Sequence, residues 1–85
     1  MQNVYLSGGV LWVIQVILDN AKYYIGKEVL LVKNIAEAKK YDNVDSARIE
    51  KACYELKINS DDNNSVKAIL SGSELKIFKV GYLNN

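Results

Sequence analysis

The densest run of oxygen ligands in the chain is Asp61-Asp62-Asn63-Asn64, inside the polar stretch Asn59–Ser65. Carboxylates and amides on a loop are the donor set of a calcium site. An EF-hand loop also needs a central glycine for its turn and a bidentate glutamate at its end, and this stretch has neither. It is expected to be a solvated turn, and no metal or cofactor is assigned. Cys53 is the single cysteine, and the chain has no histidine. A thiol becomes a nucleophile when a base or cation holds it as thiolate. With no imidazole, and with Ile49, Ala52 and Leu56 at helical spacing around it, Cys53 is expected to be a small buried apolar side chain. Gly8-Gly9 and Gly72 stand alone and build no phosphate loop. A histidine-based triad, a zinc finger and a disulfide framework all lack their residues. No enzyme activity is expected.

Two residue classes are left that can do something: lysine and tyrosine. Lys22, Lys39 and Lys40 lie beside Tyr23, Tyr24 and Tyr41, a combination that can stack on bases and meet phosphates. The chain, however, carries 11 Lys+Arg against 10 Asp+Glu, a formal charge of +1. That balance disfavours a phosphate clamp, so nucleic-acid binding is the secondary reading. Six tyrosines in 85 residues is a high load of a side chain with an apolar body and a polar tip. Such residues suit protein interfaces. Tyr23, Tyr24, Tyr41 and Tyr54 are the candidates for protein contact.

These side chains need elements to place them. Val10–Leu18 is rich in β-branched residues and ends at the turn pair Asp19-Asn20. It is expected to be a central strand, apolar on both faces. One face carries Val10, Trp12, Ile14, Val16 and Leu18, with Trp12 in the core. The other carries Leu11, Val13, Gln15 and Ile17. Tyr23–Ile25 should pair back as a hairpin, and Val29–Val32 reads as a third short strand after the break at Gly26-Lys27-Glu28. Lys33–Lys40 is a helical turn or tight connector. Asn43 is a suitable N-cap for a helix over about 44–56, with Asp45 favourable in its first turn. The helix is apolar in two directions: Ile49, Ala52, Cys53 and Leu56 on one side, Val44, Ala47 and Tyr54 on nearly the opposite side. Val66–Leu70 and Glu74–Val80 read as a second hairpin about Ser71-Gly72-Ser73, with a short helix capped by Asn64 or Ser65 as the alternative for Val66–Leu70. Met1–Gly9 is either a flexible lead-in or an edge strand through Val4-Tyr5-Leu6, and the tail from Gly81 should fray. The fold class is α+β: one domain over 1–85, an antiparallel sheet of four to five strands, and one main helix on one face.

A domain of this size buries a small share of its surface, and it has no disulfide or metal to help. Near-zero net charge also leaves little repulsion between copies. A homodimer is expected, because one helix covers one sheet face and the second must find another layer. The longest apolar stretch is too short to span a bilayer, and no basic segment precedes it. A cytoplasmic, soluble protein is expected.

The segment Tyr23-Tyr24-Ile25-Gly26 through Leu30, Val32, Lys33 and Asn34, then Ala36-Glu37-Ala38-Lys39-Lys40-Tyr41-Asp42-Asn43-Val44-Asp45-Ser46-Ala47, resembles small uncharacterised proteins encoded by phages and prophages of Gram-positive bacteria. Their pattern is a hairpin, then E-A-K-K-aromatic, then a capped helix opening with acids and an alanine. Lys39, Lys40, Tyr41, Asn43 and Ala47 match it. In this pattern the aromatic plugs the corner between sheet and helix, and the alanine lets the helix approach closely. The resemblance implies a protein that binds a host or defence protein stoichiometrically and blocks it, as anti-CRISPR proteins do. A structural subunit of a phage particle is the other assignment it allows.

Overall fold

The computed structural model describes residues 10–81. Its elements run β1 (Val10–Leu18), β2 (Ala21–Ile25), β3 (Leu31–Val32), α1 (Val44–Ile58), α2 (Ser65–Leu70) and β4 (Glu74–Gly81). Short 3-10 turns at Lys27–Val29 and Ile35–Glu37 flank β3. The four strands form one sheet in the order β3-β2-β1-β4, and all neighbours are antiparallel. The α+β class, the single sheet and the one long helix are as the sequence predicts. The expected edge strand at Val4–Leu6 and the tail beyond Gly81 lie outside the described residues.

β1 is the central strand, with β2 on one edge and β4 on the other, and all of its nine residues but Gln15 are apolar, which suits a strand buried on both faces. It turns into β2 through Asp19-Asn20, whose φ angles of 54° and 67° are the left-handed pair that a two-residue hairpin needs. Asn and Asp adopt this region more readily than other non-glycine residues. Paired residues share a face, so Trp12, Ile14, Val16 and Leu18 lie with Ile77 and Leu75 of β4 and with Tyr23 and Ile25 of β2. This is the face on which the helices pack. Ile14, Val16, Ile25, Tyr41, Ala47, Tyr54, Val66, Leu70 and Leu75 form the core.

Four expectations are corrected. Val66–Leu70 is a helix, not a strand. Asn64 caps it by accepting from the Lys67 N–H at 2.8 Å, while its amide donates to the carbonyls of Lys57 and Asp62. Val66 and Leu70, four residues apart, then point together into the core. The second hairpin therefore does not form. β4 crosses back to pair along almost the whole of β1, from Val10↔Gly81 to Ile17↔Glu74. The third strand is shorter than expected: Lys27–Val29 coil into a 3-10 turn, with Glu28 and Val29 at positive φ, and only Leu31-Val32 pair with β2. Trp12 packs against the core without being fully buried in it, and its main chain bridges Tyr41 through two hydrogen bonds of 2.8 Å. The polar stretch at 59–65 is a turn in which Asp61, Asp62 and Asn63 are exposed.

Candidate protein-contact surface

The Trp12–Tyr41 bridge fixes how α1 meets the sheet. It anchors the chain at one end of β1, two residues before the Asn43 N-cap, whose side chain accepts from the Ser46 N–H at 2.8 Å. The first helical turn is set from that point. Ala47 comes to zero exposure against the sheet, and Tyr54, seven residues on, lies on the same buried side. Tyr41 donates its hydroxyl to Glu50 Oε1 at 2.9 Å, and Lys39 Nζ lies 2.9 Å from the same oxygen. The Lys39 ammonium also sits 5.2 Å from the centre of the Tyr41 ring. The four residues Lys39, Tyr41, Glu50 and Tyr54 thus close the corner where the connector enters the helix.

The electrostatics of this corner are legible. The Lys39 hydrogen bond holds the Glu50 carboxyl below the usual carboxylate range, against an opposing push from burial. Glu50 in turn raises Lys39. Burial, reinforced by the bond to Glu50, drives the Tyr41 phenol well above its ordinary value, and burial beside the Glu50 charge raises Tyr54. A lowered carboxylate stabilises the fold above its unfolded pKa, and that contribution is lost as pH falls through the folded value. A raised phenol stabilises the fold below its unfolded pKa of about 10, and that contribution is lost as pH rises beyond it. Stability should therefore fall on an acid limb through Glu50 and on an alkaline limb through Tyr41 and Tyr54. Tyr41→Phe should flatten the alkaline limb and leave part of the acid one, read as urea midpoints from pH 3 to pH 11. An alkaline limb unchanged in this variant would contradict the assignment.

The four tyrosines do not gather in one place. Tyr41 and Tyr54, each 8% exposed, belong to the corner and the core. Tyr23 is half-buried at the margin of the helix-covered face, with Lys33 Nζ 5.9 Å from its ring centre. Tyr24 is half-buried on the opposite face, 6.5 Å from the Phe78 ring, and its hydroxyl lies 3.5 Å from the Gln15 amide. Of these four, Tyr23 and Tyr24 keep appreciable accessible surface. Among the described residues, Lys33 lies over Tyr23, Lys39 over Tyr41 and Lys79 over Trp12. Among the described residues, no group of three or more His, Cys, Asp or Glu side chains is placed to hold a metal ion, and no helix is long and apolar enough to cross a membrane.

The largest exposed apolar feature of the helix is one the tyrosine count does not reveal. With Ala47 and Tyr54 turned inward, Ile49, Ala52, Cys53 and Leu56 are turned to solvent, and all four are exposed. Ile49 is 66% and Leu56 72% accessible. Cys53, expected to be buried, sits in the middle of this stripe. The reason is steric and polar together. The face bearing Ala47 allows close approach to the sheet, and only that face brings Glu50 within reach of Tyr41 and Lys39. The face with more aliphatic carbon is left outside. The i, i+3, i+4, i+7 spacing of the stripe, read from the sequence as one apolar side of the helix, was the signal for this surface. Compared with family models, with curated proteins and with solved structures, the chain finds no match in any of the three.

Proposed function

We propose that the chain is a non-enzymatic protein-binding protein, active as a homodimer, that acts by occluding a surface on a host or defence protein. The observation that carries this reading is the outward stripe of α1. Two large aliphatic side chains, with Ala52 and Cys53 between them, are held exposed on a regular helix while Ala47 and Tyr54 of the same helix fill the core. Such a contiguous patch marks a contact site on a small domain. An amphipathic helix face with anchors at i, i+3, i+4 and i+7 is also a standard mode of protein recognition. The resemblance of residues 23–47 to phage-encoded proteins supports the class of target: a host enzyme or a defence component such as a CRISPR effector, blocked stoichiometrically. In this reading Tyr23 and Tyr24 are the contact candidates toward the target.

The test uses the chain as bait in host lysate, alongside the double variant Ile49→Glu/Leu56→Glu. The wild-type chain should retain a protein in near-stoichiometric amount. The double variant should fold with an unchanged circular dichroism spectrum and retain it at least tenfold less, because both lost carbons are outside the core. Retention equal in the two baits, or none by soluble wild-type bait, would overturn the proposal. Retention of nucleic acid alone, lost steeply as salt rises, would replace it with the nucleic-acid reading.

A further inference from the structure

We infer that the Lys40 ammonium is the latch of the connector between β3 and α1: by binding carbonyls of the turn at Ile35–Glu37 and of Ala38 after it, it fixes the path that brings Lys39 and Tyr41 to Glu50. What covers the outward face of α1 does not enter. The chemistry is that of a small cation in a cradle of oxygens. Lys40 Nζ donates to the carbonyls of Ile35 at 2.9 Å, Ala36 at 3.1 Å and Ala38 at 2.9 Å. A lysine ammonium has three N–H donors and no acceptor, so this set uses all of them. Hydrogen bonds from a charged donor are about twice as strong as neutral ones. No carboxylate takes part: among the described residues the ion pairs are Lys39 with Glu50, Arg48 with Asp45 and Lys51 with Glu55.

The turn itself creates the cradle. A short 3-10 turn leaves its last carbonyls without partners inside it. At its start the Asn34 side chain accepts from the Ala36 N–H at 2.9 Å. Within it, the Glu37 N–H donates to Asn34 and the Ala38 N–H to Ile35. Among the described residues, no backbone N–H reaches the carbonyls of Ala36 and Ala38, and Lys40 meets both. Lysine side chains near a helical C-terminus serve its last carbonyls in this way. Chain direction explains why residue 40 is the one that folds back. On one side of it the Lys39 N–H donates to the Ile25 carbonyl at 3.0 Å; on the other, Tyr41 exchanges two bonds with Trp12. Successive side chains of a segment pinned to a sheet alternate in direction. Lys39 and Tyr41 both reach Glu50 of α1, and Lys40 between them reaches the turn. Three consecutive residues thus tie the turn to the helix, and freeing the middle one loosens both neighbours. Lys40 is half-buried and borders an open groove with Val32, Ala36 and Ala38, so reagents can reach it.

The first arm of the test labels the unaltered chain. Acetic anhydride in limiting amount should modify Lys40 at least about tenfold more slowly than Lys22 and Lys76, which are exposed on β2 and β4. The second arm separates donors from charge. In a Cys53→Ser background, Lys40→Cys is alkylated in the unfolded state to carry an aminoethyl or a trimethylaminoethyl group, then refolded. Both adducts restore a positive charge at the length of lysine, and only the first has N–H groups to donate. Without an adduct, Lys40→Cys should lower the melting temperature by about 4–8 °C. The aminoethyl adduct should regain it and the trimethylated one should not. The Glu50 carboxyl, followed by NMR titration, should return below the usual carboxylate range with the aminoethyl adduct alone. A turn that merely packs around the lysine stem would treat the two adducts alike. Lys40 labelled as fast as Lys22 and Lys76, or two adducts equal in folding and in Glu50 titration, would overturn the inference. A melting temperature regained by the aminoethyl adduct alone, with Glu50 titrating the same in both, would overturn the link to the corner and leave Lys40 as a brace of the turn.

Discussion

Ile14→Ala is expected to lower stability by about 2–5 kcal/mol, the range for truncating a buried aliphatic side chain. Ile14 has zero exposure, sits at the middle of the central strand and belongs to the core with Val16, Leu70 and Ala47. Native domains hold about 0.05–0.15 kcal/mol per residue, so this one change takes a large fraction of what an 85-residue chain has. The urea midpoint should drop sharply with little change in slope. Ile49→Ala removes the same carbons from a residue that is 66% exposed and should move the midpoint by less than about 0.5 kcal/mol. Equal losses at the two positions would mean that the helix packs by its other face.

The second large effect comes from adding carbon. Ala47→Leu should destabilise the fold by about 1–3 kcal/mol, because Ala47 has no exposure and three further carbons must displace the sheet beneath it. Ala52→Leu places the same side chain on the exposed stripe and should leave folding stability unchanged or slightly raised, leucine and alanine both being good helix formers. Five residues separate the two positions, which puts them on opposed sides of α1. Thermal unfolding of both variants at low chain concentration reads the difference. A destabilisation larger at Ala52 than at Ala47 would contradict the packing described above.

Much of this architecture is legible in the residues because local signals there agree with tertiary ones. The β-branched run Val10–Leu18, the Asp19-Asn20 turn and the Asn43 cap each point to the element that forms. Val66–Leu70 is the counterexample. Five residues with two β-branched members fit a strand as well as a helix, and what decides is the Asn64 amide, which accepts from the Lys67 N–H and donates to the carbonyls of Lys57 at the end of α1 and Asp62 in the turn. The partner of β4 was likewise hidden, since a strand chosen from Ser71-Gly72-Ser73 alone pairs locally. Here its alternating Leu75 and Ile77 match Val16 and Ile14 across the long edge of β1.

The surface of α1 was legible in a different sense. The sequence shows two apolar sides of the helix, and carbon content alone favours burying the side with Ile49 and Leu56. The choice is made by a polar contact between distant segments, Tyr41 with Glu50, and by the small size of Ala47. Neither is visible until the connector at 33–43 has a path. Cys53 follows its helix face outward for the same reason. Of the tyrosines chosen for contact, Tyr41 and Tyr54 bury their rings at the corner, while Tyr23 and Tyr24 remain half-buried on opposite faces of β2.

Amide chemical shifts of the chain, followed as the protein it retains from host lysate is added, address the outward helix face most directly. The resonances of Ile49, Ala52, Cys53 and Leu56 should shift together along one binding curve, while Ile14, Val16 and Leu70 stay fixed. Shifts confined to the strands, or a spectrum unchanged by the added protein, would contradict a protein contact through α1.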